Sequence, residues 1–564
     1  MLPTAHTRSH ADGLESPSTG STLMRGTAGV RRRILCVFPR YAPSFGTFEK
    51  IYPFVGVRAF MPPQGILVVA AYLPATWDVR FVDENLRRAS AADFEWAEAV
   101  FVSGMHIQRD QINDINRRAH AHGKVTILGG PSVSGCPEYY PAFDYLHVGE
   151  LGDATDELIR RLETSTARPP QQIRLETKDR LPLGDFPVPA YEKTDLSKYF
   201  LGSVQFSSGC PYRCEFCDIP ELYGQNPRLK TPQQIVAELD AILAAGGERA
   251  IYFVDDNFVG NRKAAKELLP HLIEWQKKNG YAVQFACEAT LNIAKSPDLL
   301  AMMREAYFAT VFCGIETPDP AALHAISKDH NNTMPILESI RIINSFGLEV
   351  VSGIIMGLDS DTPDTGSKIL TFIEASHIPL LTINLLQALP RTPLHRRLTA
   401  AGRIVDEPGR ESNVEFLMPY DRVIDMWRTT FLAAYRPEAM YERFRYQADH
   451  VFPNRITPPN SPQRVNARNI LSALRIVANI IVRVGIFSDY RKTFWKMAKT
   501  RLAKGEIEPL IHMALVSHHL ISFAREAGTG QRNASFYSTN LPEGAAGAQP
   551  ALPAPPELAE AKSA

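Results

Sequence analysis

Short apolar runs alternate with segments of helical periodicity in the first third of the chain. The runs lie at residues 34–39, 79–83, 99–103, 125–128 and 145–148. Between them, segments at 65–73, 109–122 and 150–161 place apolar residues three and four positions apart, which is typical of helices. Strands that alternate with helices predict a doubly wound parallel sheet, so we expect a flavodoxin-like or Rossmann-like α/β domain over residues 31–165.

A second series of alternating strands and helices follows a polar, proline-bearing linker at residues 166–198. The predicted strands lie at residues 204–208, 250–254, 283–286, 310–315, 349–356 and 380–386. Six such units predict a partial (β/α)6 barrel over residues 199–410. Active-site residues of barrels of this kind lie at the carboxyl ends of the strands.

The pattern beyond residue 410 is mostly helical and predicts a helical C-terminal domain over residues 411–525. Nine basic residues and a single acid, Asp489, lie between residues 468 and 504, interleaved with apolar positions. Such a basic amphipathic stretch can lie on an anionic membrane surface. A helical cap packed on the barrel explains the pattern equally well, and both interpretations stay open.

Composition and charge narrow the range of functions. The 564 residues allow two or three domains, and 61 basic residues balance 61 acidic ones. This balance, together with the lack of a basic-aromatic pattern, argues against nucleic-acid binding.

Residues 1–30 and 526–564 are rich in small and polar residues and predict disordered termini. With no secretory signal and no uncharged apolar run of membrane-spanning length, we expect a cytoplasmic protein.

Three of the seven cysteines form a C-x3-C-x2-C motif at Cys210, Cys214 and Cys217. Three thiolates within eight residues can hold three irons of a 4Fe–4S cluster and leave the fourth open to a chelating ligand. A zinc site usually needs a fourth ligand, and the chain has no second Cys-x-x-Cys pair. Cys36, Cys136, Cys287 and Cys313 are scattered singly in apolar surroundings and are interpreted as buried thiols in a reducing compartment.

This motif, with Phe216 before its last cysteine, resembles the signature of the radical SAM superfamily. The resemblance implies that S-adenosylmethionine (SAM) binds the open iron and is cleaved to a 5′-deoxyadenosyl radical. Acids and glycines at the barrel strand ends are the candidate SAM contacts: Asp255 and Asp256 for the ammonium group, Glu288, Glu316 for the ribose, and Gly353 with Gly357 on the adenine side. Each acid could equally be a solvated loop carboxylate or a helix cap.

Small residues cluster at the strand ends of the first domain, where ligands of parallel sheets bind. They are Ser103, Gly104, Gly129, Gly130, Ser132 and Gly149. Glycine after a strand is often only a turn, but here it would let a large flat ligand approach the backbone. Because these residues precede a radical SAM motif, they resemble the cobalamin-binding domain of cobalamin-dependent radical SAM enzymes. The Asp-x-His-x-x-Gly motif is absent, so the resemblance implies cobalamin without a histidine on cobalt.

Residues 31–525 resemble cobalamin-dependent radical SAM methyltransferases, and more closely bacterial hopanoid C-2 methylases, in the stretches 38–49, 103–108, 217–224 and 384–394. The resemblance implies that one SAM methylates reduced cobalamin, while a second yields the radical that activates an unreactive carbon for methylation. The implied substrate is a polycyclic hopanoid lipid, methylated at carbon 2. The implied partner is a low-potential electron donor such as flavodoxin or ferredoxin, and peripheral contact with the inner face of the cytoplasmic membrane is also expected.

Two alternatives remain open from the sequence. One is an enzyme of the same architecture that acts on another substrate. The other is a cobalamin and iron–sulfur sensor without catalysis, which would consume no SAM.

Overall fold

The structure, a computed structural model, describes residues 30–529 except 248, 249, 406 and 408. Most of both predicted disordered segments, residues 1–29 and 530–564, therefore lies outside the described residues. The last helix continues past the predicted domain end at residue 525 and ends at Gly528.

The first domain is a six-stranded, fully parallel sheet with helices on both faces. Its strands are β1 (Arg33–Phe38), β2 (Asp78–Asp83), β3 (Ala99–Ser103), β4 (Val125–Gly129), β5 (Tyr145–Val148) and β6 (Ile173–Glu176), in the order β2-β1-β3-β4-β5-β6. Its helices are α1 (Tyr52–Val55), α2 (Gln64–Tyr72), α3 (Ala91–Trp96), α4 (Arg109–Ala121), α5 (Pro131–Gly135) and α6 (Asp153–Thr164). Neighbouring strand residues such as Ile34 and Leu35 enter separate cores on opposite faces, which confirms the doubly wound fold.

The predicted linker contributes the edge strand of this sheet, which is a difference from the sequence prediction. β6 pairs in parallel with β5, and its first amide, of Ile173, donates a hydrogen bond to the Asp144 carbonyl (2.9 Å). Half-buried Ile173 and Leu175 alternate with exposed Arg174 and Glu176. The strand presents one apolar face because only that face packs on the sheet domain.

The second domain is an open parallel barrel whose strands follow one another in sequence order. Its strands are β7 (Gly202–Val204), β10 (Ala250–Phe253), β11 (Gln284–Ala289), β12 (Phe308–Glu316), β13 (Glu349–Met356) and β14 (Leu381–Leu385). A short antiparallel pair, β8 (Ser207–Ser208) and β9 (Arg228–Leu229), flanks the cysteine motif. The helices are α7 (Ile219–Leu222), α8 (Pro232–Ala244), α9 (Arg262–Lys278), α10 (Pro297–Glu305), α11 (Pro320–Ala325), α12 (Ile336–Ser345), α13 (Thr365–Ser376) and α14 (Pro393–Ala400). The predicted partial (β/α)6 barrel is confirmed.

Alternation along the barrel strands separates the helical shell from the lumen. In β11, Phe285 and Cys287 are fully buried, whereas Ala286 and Glu288, which alternate with them, are only half-buried. In β12, half-buried Phe312 and buried Val311 repeat the pattern. The half-buried side chains point away from the helices and therefore line a lumen that opens at the carboxyl ends of the strands.

The C-terminal region is helical, as predicted, and packs on the barrel. Its helices are α15 (Tyr420–Ala434), α16 (Pro437–His450), α17 (Ala467–Ile480), α18 (Arg491–Ala503) and α19 (Ile507–Gly528), with a π-helical turn at Ile481–Ile486. Buried Trp427 donates its indole N–H to the Ile383 carbonyl of β14 (2.7 Å). His519 of α19 bonds through Nε2 to the Phe45 carbonyl (3.1 Å), so these helices also hold the loop after β1.

Candidate active site

The three motif cysteines lie together in the loop between β8 and α7. All seven cysteines of the chain are unpaired, and the three in the motif are partly exposed. Outside the motif, Cys36, Cys287 and Cys313 are buried as predicted, whereas Cys136 is only half-buried. Burial is the main cause that raises the pKa of Cys217, and the negative charges of Cys214 and Cys210 contribute. The three sulfurs are therefore close enough to interact with one another.

Three thiols in one short loop suit the three protein-bound irons of a 4Fe–4S cluster. Within the described residues, no three cysteine, histidine or acidic side chains converge on a position where one metal ion could bind. A 4Fe–4S cluster instead needs one thiolate at each of several separated irons. Burial raises the pKa of the Cys214 thiol to about 11, and the nearby Lys328 ammonium opposes that rise. A cationic group in this space would favour the thiolate forms.

Backbone hydrogen bonds fix the shape of the cysteine loop. The Gly209 N–H donates to the Asp256 carboxylate (2.7 Å), and the Cys210 N–H donates to the Gly224 carbonyl (3.2 Å). Gly209 has a φ of 98°, and a Cβ there would lie 2.8 Å from the Gly224 oxygen. Glycine is required before Cys210 because no other residue fits this left-handed, crowded position.

Asp255 holds the strand that leads into this loop. It is buried, and its carboxylate accepts hydrogen bonds from the Phe206 N–H (3.1 Å) and from both the N–H and the hydroxyl of Ser207. Burial raises its pKa to about 6, although these bonds oppose the rise. Its oxygens are engaged by the protein, so in this structure Asp255 acts as a positioning residue. Its predicted contact with SAM stays a prediction.

Buried Asn257 and half-buried Asp256 and Glu288 form a polar group beside the cysteines. Burial, followed by the charge of Asp255, raises the pKa of Asp256 to about 7. Burial and the charge of Asp256 raise that of Glu288 to about 8. Asn257 is buried beside Cys210, and neither of its amide atoms has a hydrogen-bond partner among the described residues. Two acids and an unsatisfied amide are suited to a cationic ligand with hydrogen-bond donors.

Glu316 forms an ion pair with Lys328, a residue that the sequence pattern did not predict. Lys328 and Glu316 form a buried ion pair, and the Lys328 ammonium lies 5.6 Å from the centre of the Phe216 ring. Glu316 has a φ of 65° at a bulge between β12 and β13, which turns its side chain into the lumen. A Cβ on Gly314 would lie 2.8 Å from the Lys328 nitrogen, so glycine there makes room for the pair.

Gly353 and Gly357 occupy different environments. Gly353 lies in β13 near Thr382 and Phe312, so it keeps the lumen wide. Gly357 has a φ of 93° and donates its N–H to Asp361 (2.7 Å), and a Cβ there would overlap Phe416. Next to these strand ends lies a mainly apolar cleft of about 570 Å³, lined by residues that include Phe216, Ile326, Leu358, Leu386 and Leu394.

The predicted residues of the first domain meet at the carboxyl edge of its sheet. Gly130 has a φ of 93°, and a Cβ there would lie 2.4 Å from the Ser103 hydroxyl. Gly149 has a φ of 103° and donates its N–H to Ser134 (2.9 Å). Gly129, in contrast, has open space around its Cβ position apart from His147 at 3.9 Å. Gly130 and Gly149 are therefore required by their left-handed backbone and by close packing against Ser103 and Thr177, whereas Gly129 leaves open space at the sheet edge where a ligand could approach the backbone.

Ser132 and Gly104 are packed inside the domain. The Ser132 hydroxyl bonds to Tyr140 and to Nδ1 of His106 (3.0 Å). A Cβ on Gly104 would lie 3.0 Å from Ile112, so this glycine permits close packing. Their predicted contacts with cobalamin stay predictions.

His106 lies near this edge, as does His147 of β5, and Nε2 of His106 is buried without a hydrogen-bond partner among the described residues. Nδ1 bonds to Ser132, and a Cβ on Gly135 would lie only 2.8 Å from Nε2. Burial, followed by the charge of Arg109, lowers the pKa of His106 to about 4, so the ring is neutral near pH 7. The expectation that no histidine binds cobalt stays a prediction.

Glu150, directly after Gly149, links the two domains. Its carboxylate accepts from Arg228 (2.6 Å) and Arg180 (3.1 Å), and it also accepts the Ser208 hydroxyl (3.3 Å). Arg228 and Ser208 belong to the strand pair that flanks the cysteine loop. The edge of the sheet is therefore tied to the mouth of the barrel.

A cleft of about 650 Å³ lies between the two domains on another side. The first domain contributes His106, Arg109 and Tyr139, and the loops beyond β14 contribute residues that include Pro390 and Arg410. The cleft lies between the first domain and the loops of the barrel, and its mixed polar and apolar walls suit a ligand that carries both amide groups and apolar surface.

Comparisons with known proteins agree with this site. The model of the radical SAM superfamily matches residues 204–373, and a model described as Domain of unknown function (DUF4070) matches residues 392–533. The structure of the cobalamin-dependent SAM radical enzyme OxsB, with aqua-cobalamin and SAM bound, has a TM-score of 0.56 at 12% identity. The match covers 89% of this chain and 82% of OxsB.

A second solved structure and a closer relative complete the comparison. The radical SAM methyltransferase TsrM from Kitasatospora setae, with cobalamin and a [4Fe-4S] cluster bound, has a TM-score of 0.53 at 16% identity and covers 84% of this chain and 100% of TsrM. The hopanoid C-2 methylase of Rhodopseudomonas palustris (strain TIE-1) is 60% identical over 519 residues, which are 92% of this chain and 98% of that protein. With the fold of cobalamin-dependent radical SAM enzymes and this identity over nearly its whole length, the chain belongs to the hopanoid C-2 methylase family of the radical SAM superfamily.

Proposed function

We propose that this protein transfers a methyl group to carbon 2 of a polycyclic hopanoid, using a 4Fe–4S cluster, SAM and cobalamin. The observation that carries the proposal is the 60% identity to a hopanoid C-2 methylase over 98% of that protein's length. When bound, the cluster supplies an electron for SAM cleavage and cobalamin supplies the methyl group that is transferred. Cys210, Cys214 and Cys217 would hold the cluster.

The barrel mouth supplies opposite charges for the two ends of an amino acid ligand. Asp256 and Glu288 can accept hydrogen bonds from the ammonium group of SAM, and that positive charge would lower their raised pKa values. Lys328 is the cation beside the cysteines, and its charge would stabilise the carboxylate group of SAM. The apolar cleft beside Phe216 suits the adenine ring.

The first domain would hold cobalamin through backbone contacts. Gly129, whose Cβ position is open, would let the ligand approach the sheet edge, and the neutral ring of His106 stays bonded to Ser132. The link from Glu150 to Arg228 would fix the distance between this ligand and the cysteine loop. Both reacting cofactors then face the same lumen, which excludes bulk water from a reactive carbon.

The proposal also covers the cellular location, the electron donor and contact with a membrane. The seven unpaired cysteines support a reducing, cytoplasmic location. A low-potential protein such as flavodoxin or ferredoxin would supply electrons. A lipid substrate supports peripheral contact with the inner face of the cytoplasmic membrane.

Lipid analysis tests the proposal directly. The chain is expressed in a hopanoid-making bacterium that lacks methylated hopanoids, and extracted lipids are examined by mass spectrometry. We expect 2-methylhopanoids with the natural chain and none with Cys210→Ala, whereas Cys136→Ala retains activity because that thiol lies outside the motif. Methylation at another carbon, or SAM cleavage by cobalamin-loaded protein without methylated hopanoid, would contradict the proposed substrate.

The sensor alternative makes a different prediction. A sensor would form no 5′-deoxyadenosine when reductant and SAM are supplied, and the relative named as a methylase argues against it.

A further inference from the structure

The exposed side of α17 and of the π-helical turn after it is mainly apolar. Twelve positions between 467 and 487 are exposed: nine carry Ala, Ile, Leu, Val or Phe, and three carry arginine. Along α17 they recur three and four residues apart, which places them on one face of the helix. We call this surface the α17 face. Leu471 and Leu474 at its centre are 66% and 61% exposed, and Phe487 at its end is 77% exposed.

The opposite side of the helix holds the polar residues. Asn469, Ser472 and Asn479 lie on the half-buried positions, and Asn479 donates to the Phe54 carbonyl of α1 (3.2 Å). A helix on a soluble protein normally turns its apolar side inwards. The inner side also carries buried Ile480 and Val484, so the segment is apolar on both sides, and a contiguous apolar strip remains outside the fold, which is typical of an interaction site.

We propose that the α17 face lies on an anionic lipid bilayer. Its charged residues are Arg468, Arg475 and Arg483, and no acidic residue occurs between positions 467 and 487. Arginines beside an apolar strip allow the apolar side chains to enter the acyl boundary while the guanidinium groups meet lipid phosphates. This charge pattern fits a negatively charged membrane surface.

The attachment of the helix favours an interfacial position over a spanning one. By length and composition Ala467–Ile486 could cross a membrane, and it is the one helix of the described residues that could. However, Ile480 and Val484 are buried in the core of the protein, and Asn479 is bonded to α1. Crossing would break these contacts, whereas lying on the surface keeps them.

A second copy of the chain is a less suitable occupant of the α17 face. Pairing by a two-fold axis would bring the same surface of each copy together. Arg475 and Arg483 would then meet the same arginines of the other copy, and the segment carries no acidic residue of its own. An anionic bilayer instead presents negative charge to this surface.

The α17 face covers a shorter part of the chain than the basic stretch at residues 468–504 that the sequence predicted. In α18, Phe494 is buried, and Arg501 is buried in ion pairs with Asp449 (2.9 Å) and Glu506 (2.8 Å). Lys504 also pairs with Asp449 (3.1 Å). The core-packed interpretation therefore holds for α18, and the membrane interpretation is confined to α17 and the turn after it.

Vesicle flotation with the full chain tests the inference without cofactors, substrate or turnover, so its outcome is separate from that of the proposed function. We expect binding to vesicles of phosphatidylglycerol and phosphatidylethanolamine. The double variant Leu471→Asp/Leu474→Asp should reduce the bound fraction about tenfold or more because two inserted side chains become charged. Leu417→Asp is the matched control, since Leu417 is 67% exposed outside this segment, and it should bind like the natural chain.

Further measurements separate the sources of binding. Replacing Arg468, Arg475 and Arg483 by glutamine should remove the preference for anionic over phosphatidylcholine vesicles. Phe487→Trp should be quenched by brominated lipids. The inference is overturned if the natural chain binds neither vesicle, or if the leucine variant binds as well as the natural chain. A dimer in solution that the leucine variant converts to a monomer would overturn it in favour of a second copy.

Discussion

A buried ion pair next to the cysteines sets the electrostatics of the barrel mouth. Lys328 and Glu316 are both buried, and the charge of Lys328 acts on the Cys214 thiol. Charges at this depth are only weakly screened by solvent, so each can influence a redox group near the thiols. The pair also brings opposite charges to the place where a zwitterionic amino acid group would bind.

We predict that the two members of the pair shift the cluster potential in opposite directions. Lys328→Met removes a positive charge that stabilises an added electron, so the potential should fall by about 50 mV. Glu316→Gln removes a negative charge and should raise it by a similar amount. A redox titration monitored by electron paramagnetic resonance measures both values. Shifts of the same sign would indicate general disturbance of the site and contradict the electrostatic role.

The sequence identified some of these residues but not their partners. The cysteine motif and Glu316 are recognisable because local spacing and strand ends mark them. Lys328 lies 12 residues after Glu316 in an ordinary helical and turn segment, and nothing local distinguishes it from a surface lysine. Asn257 was visible at a strand end, but its burial without a partner depends on the folded barrel.

At the level of elements, Glu150 joins the end of β5 to the strand pair beside the cysteines. The carboxylate lies between Arg228 and Arg180, and Arg228 also donates to the Ser208 hydroxyl (3.0 Å). Since these contacts cross from one sheet to the other, Glu150 is a positioning residue for the relative placement of the two ligand sites.

We predict that Glu150→Gln uncouples the two half-reactions. SAM cleavage should continue because the cysteine loop keeps its own hydrogen bonds, while methylated product per 5′-deoxyadenosine should fall roughly tenfold because the reacting groups are misplaced. Mass spectrometry of both products gives this ratio. Glu138→Gln is the control, since that carboxylate is largely exposed and pairs loosely with Arg174 (3.5 Å). An unchanged ratio in Glu150→Gln would contradict the positioning role.

Elements with long apolar runs were predictable, and short or weakly apolar ones were not. The five other strands of the first sheet and five of the six barrel strands lie where apolar runs predicted them, whereas the strand predicted at residues 204–208 is divided between the end of β7 and β8. β6 was missed because its four residues alternate in polarity next to prolines, and edge strands need only one apolar face.

At the scale of the whole molecule, three domains surround one lumen. The C-terminal helices hold both the barrel and the loop after β1, as the bonds of Trp427 and His519 show. At the base of β13, buried Glu349 pairs with His512 (3.0 Å) and Arg455 (3.5 Å) of the C-terminal region, which keep its pKa below the usual value despite burial. The C-terminal helices therefore hold the barrel strands and the loop after β1 in place.

This arrangement predicts that cobalamin contacts both domains at once. The cleft is lined on one side by His106, Arg109 and Tyr139, and on the other by loop residues that include Pro390 and Arg410. When hydroxocobalamin is added to the full chain, hydrogen exchange measured by mass spectrometry should slow roughly tenfold or more in peptides from both walls, at 104–110 and 137–141 and at 386–391 and 409–414. The helix at 467–480 serves as the control and should exchange unchanged, since it lies on another surface. Protection confined to the first domain would contradict a shared site, because a ligand held between the two walls must shield the amides of both.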